Sequence, residues 1–328
     1  MSSIRFYGLG GLGLNLVSQL ARFEDKQNEG FADISICYAD TSKSNLRGKE
    51  EGIDYREDQL YIFDGIDGSG KSRGQNLGVM SESHKDFLHK FKPADLNVVV
   101  HSASGGSGSV LSNLVVTELL KRGHLVISII VGTTSSRIET ENTKKTLLSY
   151  EKAAIGTKRP VVAFYRENTK TAPRAKIDNE VVTFMILLCV LFSSQNRELD
   201  KADLENFINY HQVTDFPVRL SYLDFWSKDI SLEKGQSLIS VATICDDETT
   251  PELNTLVEYQ AVGYLQEKNK DILNVQLPVH AGIISGFFNS KLIELDVKLG
   301  TFHEARGVVV SKAIVNEDDV SDGNFIMI

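Results

Sequence analysis

The chain has 328 residues, 41% of them hydrophobic and 24% charged, which gives an ordinary globular balance and room for two domains, with disorder unexpected outside the tail. Its 35 basic and 44 acidic residues leave a net charge of -9, which repels phosphate backbones and anionic membranes, so neither direct nucleic-acid binding nor a membrane partner is expected. Cys37, Cys189 and Cys245 are far apart, each in an apolar run, as expected of buried free thiols in a reducing compartment rather than of disulfides or a metal site.

The N-terminus opens on a strand-like SSIRFYGLGG with no charged region and apolar core, so no secretory signal is legible. The longest apolar run, Val181 to Phe192, falls short of the roughly 20 residues that span a bilayer and reads as a buried helix. A cytoplasmic location is expected.

Apolar or β-branched runs recur at 3–7, 33–39, 60–63, 96–101, 125–131 and 160–165. Helical patterns lie at Leu14 to Phe23, Ser81 to Phe91, Val110 to Arg122 and Thr140 to Ile155. The alternation predicts an α/β fold with a mostly parallel sheet covered by helices. From Asp178 a long helical pattern runs toward Arg197, and beyond it 237–245, 273–285, 291–299 and 307–315 pattern as strands of a second sheet. The expected organisation is a nucleotide-binding domain at 1–175, a central helix at 176–199, a second α/β domain at 200–315 and an acidic tail at 316–328. That tail ends on Phe325, Ile326, Met327 and Ile328, unusual for a purely solvating segment.

Three glycine-rich loops follow strands. The first, Gly8 to Asn15, opens a helix, so its backbone amides can approach a pyrophosphate that also feels the helix N-terminus. The same spacing suits a dinucleotide-binding Rossmann unit, with Asp40 at the end of the next strand to meet a ribose, and leaves an NAD-dependent oxidoreductase open. The second, Gly65 to Ser72, formally satisfies GxxxxGK[ST]. Gly74 and Gly78 stand where a P-loop helix should begin, and each costs roughly 1 kcal/mol against alanine, so a plain flexible loop is the simpler reading, with the helix starting near Ser81. The third, His101 to Ser109, sits between the strand LNVVVHS and the helix VLSNLVVTELL, where small residues can wrap a phosphate with amides and hydroxyls.

Taken in order, GLGGLGLN, a glycine loop after a third strand, and SGGSGS before a helix resemble the tubulin/FtsZ superfamily, whose signature is GGGTGSG. Within it the chain most strongly resembles the phage-encoded tubulins, through the first loop, SGGSGSVL and the acidic end. Ser104 in place of the first signature glycine and a longer second loop carrying Lys71 are departures. The resemblance implies a tubulin/FtsZ-like fold, with a Rossmann-like GTPase domain joined by a long central helix to a second α/β domain. It implies GTP binding, GTP hydrolysis to GDP, and head-to-tail self-assembly into filaments, with Mg²⁺ bridging the β and γ phosphates.

Carried over by position, Gly10, Gly11, Leu12 and Gly13 line the phosphates and Asn15 lies near the guanine. Ser104, Gly105, Gly106, Ser107, Gly108 and Ser109 cradle the α and β phosphates. Gly74, Gln75 and Asn76 sit over the γ-phosphate, with Lys71 an extra cation. Thr133, Glu139 and Asn142 are the ribose candidates, and Asp178 and Asn179 the guanine candidates, without the aromatic stacking residue the family leads one to expect.

In ELDKAD, Asp200 and Asp203 resemble the family's NxDxxD loop, with Glu198 in the asparagine position. By spacing alone such a pair caps a helix as readily as it positions an attacking water. The resemblance makes both acids catalytic, acting in trans on the next subunit's nucleotide. No protein-held metal is expected, since the histidines show no HExxH spacing, and no GxSxG elbow is present. The function expected is a phage filament positioning viral DNA or its compartment in the bacterial cytoplasm, the acidic tail gripping a neighbouring subunit. Plasmid-segregating TubZ-type and dividing FtsZ-type GTPases, and a homologue that binds nucleotide without hydrolysing it, are the alternatives within the fold.

Overall fold

A computed structural model describes residues 3–24, 32–46, 55–193, 196–227, 229–246, 253–265 and 277–311. Six strands, β1 (Ser3–Leu9), β2 (Asp33–Asp40), β3 (Leu60–Ile62), β4 (Leu96–Ser102), β5 (Leu125–Thr133) and β6 (Val161–Asn168), pair in parallel in the order β3-β2-β1-β4-β5-β6. Between them run α1 (Gly10–Val17), extended by a 3-10 segment Ser18–Phe23, then α2 (Leu77–Lys90), α3 (Ser107–Lys121) and α4 (Arg137–Thr157).

Period-2 geometry explains why the strands read as unbroken apolar runs. Phe6, Val98 and Ile129 enter one core, shared with Leu14 and Val181, whereas their neighbours Tyr7, Val99 and Ile130 enter the other, shared with Leu111, Val115 and Leu147. Both faces are covered by helices, so no strand position on the central pair can be polar without a partner.

The apolar run Val181 to Phe192 becomes the buried part of α5 (Arg174–Leu191), which stops well short of Arg197. The chain leaves the helix because Arg197 is recruited elsewhere: its N–H and carbonyl exchange 2.9 Å hydrogen bonds with Tyr264. A short α6 (Lys201–Ile208) follows.

The C-terminal strands do not form a separate sheet. Strands β7 (Leu220–Trp226), β8 (Ser237–Cys245), β9 (Tyr259–Tyr264) and β10 (Val279–Ser285) extend the first sheet in the order β7-β10-β8-β9. The join is narrow: β6 and β7 pair at Val161–Leu220, Val162–Ser221 and Ala163–Tyr222. Beyond it the strands separate, and Arg166 fills the fork, reaching Glu180 at 2.8 Å and Asp224 at 2.9 Å.

Residues 291–299 and 307–311, expected as strands, belong to α7 (Phe287–Ser311). Phe288 and Leu295 are buried seven positions apart, on one helix face, while Ile293 and Val297 on the outer face are each 66% exposed. Apolar residues on both faces erase the 3.6 period and imitate alternation. Helix α2 also begins earlier than predicted, at Leu77, with Gly78 in its first turn rather than in the interior where the glycine penalty applies. Residues 273–276 and 312–315, and the tail 316–328, lie outside the described residues. Cys37, Cys189 and Cys245 are buried and none of them is in a disulfide, and among the described residues no helix is long and apolar enough to cross a membrane.

Candidate nucleotide site

The order 3-2-1-4-5-6 reverses direction between β1 and β4, and open α/β sheets receive ligands outside the carboxyl ends of the strands at such a switch point. A cavity of about 390 Å³ lies there. Leu9, Gly10, Gly11 and Leu12 form one wall, Asp40, Thr41 and Asn45 the second, Gly68, Ser69 and Lys71 the third, and Ser102, Gly105, Gly106, Ser107 and Gly108 the floor.

Close backbone packing dictates the glycines. Gly10 has φ +71°, and a Cβ there would come within 3.1 Å of the Gly108 Cα; a Cβ on Gly108 would come within 2.8 Å of the Leu9 carbonyl oxygen. The first and third loops thus rest on each other with no room for a methyl group. Gly13 lies behind them, its would-be Cβ 2.2 Å from the Val100 carbonyl oxygen, and lets α1 seat on β4.

Helix α3 starts in the floor, and its N-cap residue Gly106 has no side chain to take up the first N–H groups. The Thr41 and Ser107 hydroxyls are 2.6 Å apart, and the Ser107 N–H donates to the Ser69 hydroxyl at 3.1 Å. Such a floor of amides and hydroxyls at a helix N-terminus attracts anions. Asp40 is 2% exposed, and burial raises the pKa of its carboxyl group. It accepts from Asn45 Nδ2 at 2.6 Å and from the Thr41 N–H at 2.7 Å. The carboxylate proposed to meet a dinucleotide ribose is therefore engaged in holding Asn45 against Gly11.

Of the residues singled out in the sequence, Gly10, Gly11, Leu12, Asp40, Lys71, Gly105, Gly106, Ser107 and Gly108 line the cavity. Ser109 and Ser104 lie beneath the floor, Ser109 Oγ donating to the Gly105 carbonyl at 2.5 Å and the Ser104 carbonyl accepting from Asn142 Nδ2 at 3.0 Å. Asn142 also holds the Lys71 carbonyl at 2.8 Å, and Glu139 takes the Lys71 ammonium at 2.7 Å, so both stitch the second loop to α4. The Thr133 carbonyl accepts from Thr143 at 3.3 Å, outside the cavity lining.

Gly74 and Gln75 are exposed and away from the lining, while Asn76 is buried and donates to the Gly68 carbonyl at 2.5 Å. The second loop is not a P-loop: Lys71 has φ 65°, the Ser72 N–H turns back to the Ser69 carbonyl, and the helix starts only at Leu77. Asn15 lies on α1, its carbonyl taken by Ser18 at 2.9 Å. Asp178 and Asn179 lie in the first turns of α5, which packs on α1. Asn179 is exposed; Asp178 pairs through one oxygen with Arg174 at 3.3 Å, its other oxygen is buried without a partner among the described residues, and burial raises its pKa. Sequence reasoning missed Thr41, Asn45, Ser69 and Ser102; the polar run TSKSN directly after β2 was the available signal for the first two.

Asp200 and Asp203 cap α6 reciprocally, Asp200 accepting from the Asp203 N–H at 3.0 Å and Asp203 from the Asp200 N–H at 3.2 Å. Tyr259 donates to the other oxygen of Asp203 at 3.1 Å. The preceding loop is fastened to β9: Glu198 adopts φ 65°, and Leu199 is buried so tightly on Gly263 that a Cβ there would be 2.6 Å from the Leu199 Cβ. Lys201 reaches Asp95 at 2.8 Å, and Asp95 accepts from the Ser3 N–H at 3.0 Å, which places the acidic pair at the N-terminal ends of β1 and β4. The seven residues of β1 separate that rim from the glycine floor, about 20 Å at roughly 3.3 Å per residue. Among the described residues no group of three or more His, Cys, Asp or Glu could hold a metal.

This topology is shared with solved structures. The protofilament of TubZ from bacteriophage PhiKZ superposes with a TM-score of 0.77 at 23% identity, covering 96% of this chain and 94% of that one. The GDP complex of the phage tubulin PhuZ superposes with a TM-score of 0.81 at 20% identity, covering 96% of each. In sequence, the phage tubulin-like protein of Pseudomonas phage phiKZ is 25% identical over 275 residues, 81% of each chain. No protein-family model matches the chain. The reversing sheet, with glycine loops on one rim and the capped acidic pair on the other, defines a protein of the tubulin/FtsZ-like fold. More narrowly, the chain is similar in sequence to the phage tubulin-like proteins of Pseudomonas phages phiKZ and PhiPA3, the latter at 28% identity over 206 residues.

Proposed function

We propose that the chain is a GTP-hydrolysing cytoskeletal protein whose subunits stack head to tail into filaments. One observation carries the reading: the anion-binding floor and the acidic pair occupy opposite rims of one sheet, so neither completes the other within a molecule, whereas stacking one subunit on the next brings them together. The protofilament architecture of the PhiKZ TubZ neighbour supports stacking, and the GDP bound by PhuZ supports a guanine nucleotide.

In this reading, amides of Gly10, Gly11 and Gly105 to Gly108 bind the phosphates, and the half-buried Asp178, with its unsatisfied oxygen, accepts from the guanine. The second loop lines the γ-phosphate side, nearest at Gly68 and Ser69. Asp200 and Asp203 of the neighbouring subunit orient and polarise the attacking water. Mg²⁺, held mainly by the phosphates, would supply the counter-charge that phosphoryl transfer needs. The cavity fits such an ion, because the Thr41 and Ser107 hydroxyls in its lining offer oxygen ligands, and Mg²⁺ takes most of its ligands from phosphates and water rather than from a protein cage. The cargo is viral DNA or its compartment in the bacterial cytoplasm, and the acidic tail makes a salt-sensitive subunit contact.

The test follows phosphate release from GTP and from ATP over a protein concentration series with Mg²⁺, with light scattering read in the same samples. GTP-selective release that switches on above a critical concentration is expected. Turnover per subunit that is independent of concentration, or preference for ATP, overturns the reading.

A further inference from the structure

The second loop does more than overhang the cavity. Gly68, Gly70 and Lys71 all have positive φ, at 72°, 50° and 65°, and Lys71 bears a side chain that disfavours this region. The loop is nonetheless held firmly, by the Gly68 N–H on the Thr41 carbonyl at 3.1 Å, Asn76 on the Gly68 carbonyl at 2.5 Å and Asn142 on the Lys71 carbonyl at 2.8 Å. These bonds drive Ser69 downward onto the floor. The residue is 8% exposed, and a Cβ on Gly106 would fall 2.1 Å from its hydroxyl oxygen. That hydroxyl accepts from the Ser107 N–H at 3.1 Å. The Ser107 amide opens the uncapped helix α3 and lines the cavity, so it is one of the donors an anion seated on this floor needs.

We propose that Ser69 is an internal ligand of the phosphate cradle: its hydroxyl occupies the Ser107 amide, and a nucleotide phosphate takes that amide only by displacing it. The inference rests on the nucleotide reading of the cavity. Its consequence is that the second loop moves away from α3 when nucleotide enters, coupling occupancy of the site to the loop's position. Gly106 is what permits the plug, since any side chain there would exclude the serine.

The experiment compares wild type with Ser69→Ala in the full chain, using fluorescently labelled GDP in a stopped-flow titration. A neutral hydrogen bond has a net worth of about 0.5–1.5 kcal/mol, so loss of the competitor should tighten binding by roughly 2- to 12-fold, mainly through faster association. Amide hydrogen exchange over the peptide 103–111 supplies the second readout: Ser69→Ala should exchange faster without nucleotide, and GDP should protect both proteins equally. Unchanged or weaker GDP affinity in Ser69→Ala overturns the inference, the latter marking Ser69 as a direct contact of the nucleotide. Unaltered exchange in the variant overturns it too. If neither protein binds labelled GDP, the nucleotide reading itself fails and the inference falls with it.

Discussion

Separation of the two rims makes a complementation experiment decisive. The acidic pair and the glycine floor lie at opposite ends of β1, about 20 Å apart by strand rise and far beyond hydrogen-bond reach, so under the proposed function hydrolysis would require two molecules. Asp200→Asn with Asp203→Asn removes both charges and keeps the capping geometry, because asparagine caps helices about as well as aspartate. Gly105→Asp is the complementary lesion. A Cβ there meets nothing closer than Ser102 at 3.9 Å, so the fold accepts it, while the added carboxylate confronts a phosphate. At about 4 Å that repulsion is roughly 1–4 kcal/mol, weakening nucleotide binding by about 5- to 1000-fold. Each variant alone should release almost no phosphate. In an equal mixture, a productive interface needs a sound floor from the first variant and sound carboxylates from the second, which in a head-to-tail polymer occurs at about one interface in four. Phosphate release should therefore recover to about a quarter of the wild-type rate, read alongside co-sedimentation of the two tagged proteins. Co-sedimentation without recovered release, or near-normal turnover by the charge-depleted variant alone, refutes the two-rim reasoning.

Gly108→Ala should lower unfolding stability by about 1–3 kcal/mol in denaturant titrations, and weaken GDP binding with it, because the new methyl group would lie 2.8 Å from the Leu9 carbonyl and wedge two loops apart. His101 is fully buried, and burial lowers its pKa from 6.5 to about 4. The unfolded chain binds this proton more readily than the folded one, so stability should fall as pH drops from about 6.5 to 4, by about 3 kcal/mol, and His101→Gln should flatten that slope in pH-dependent melting. Arg166→Met removes the cation shared by Asp224 and Glu180 in the sheet fork, while Asp224 keeps its bonds from the Tyr222 hydroxyl and the Phe225 N–H, and should cost about 1–3 kcal/mol, with Arg166→Met plus Asp224→Leu recovering part of it in a double-mutant cycle.

Elements whose burial is one-sided or complete over a full period could be read from the order of residues alone. Strands such as LNVVVHS and the run Val181 to Phe192 were legible because consecutive apolar residues have no other stable environment than a doubly covered sheet or a buried helix. The glycine loops were legible for a related reason: Gly10 needs a positive φ and Gly108 a bare backbone face, and both needs are met by one residue type. Helix α7 was illegible because Ile293 and Val297 sit on its outer face, so local pattern and final burial disagree.

Which polar groups meet is settled by the fold and not by local pattern. Nothing local in TSKSN or GSGKS announces that Thr41 will touch Ser107 or that Ser69 will hold its amide, since these contacts join residues 66 and 38 positions apart. The roles of Glu139 and Asn142 as stitches of the second loop to α4 likewise come from loop closure over long separations. The division of the site between two rims is of the same kind. Asp200 and Gly108 are each placed by their own short-range geometry, a capping box and a tight loop, but the length of the strand between their rims sets them apart, and that length becomes a distance only once β1 and β4 lie side by side.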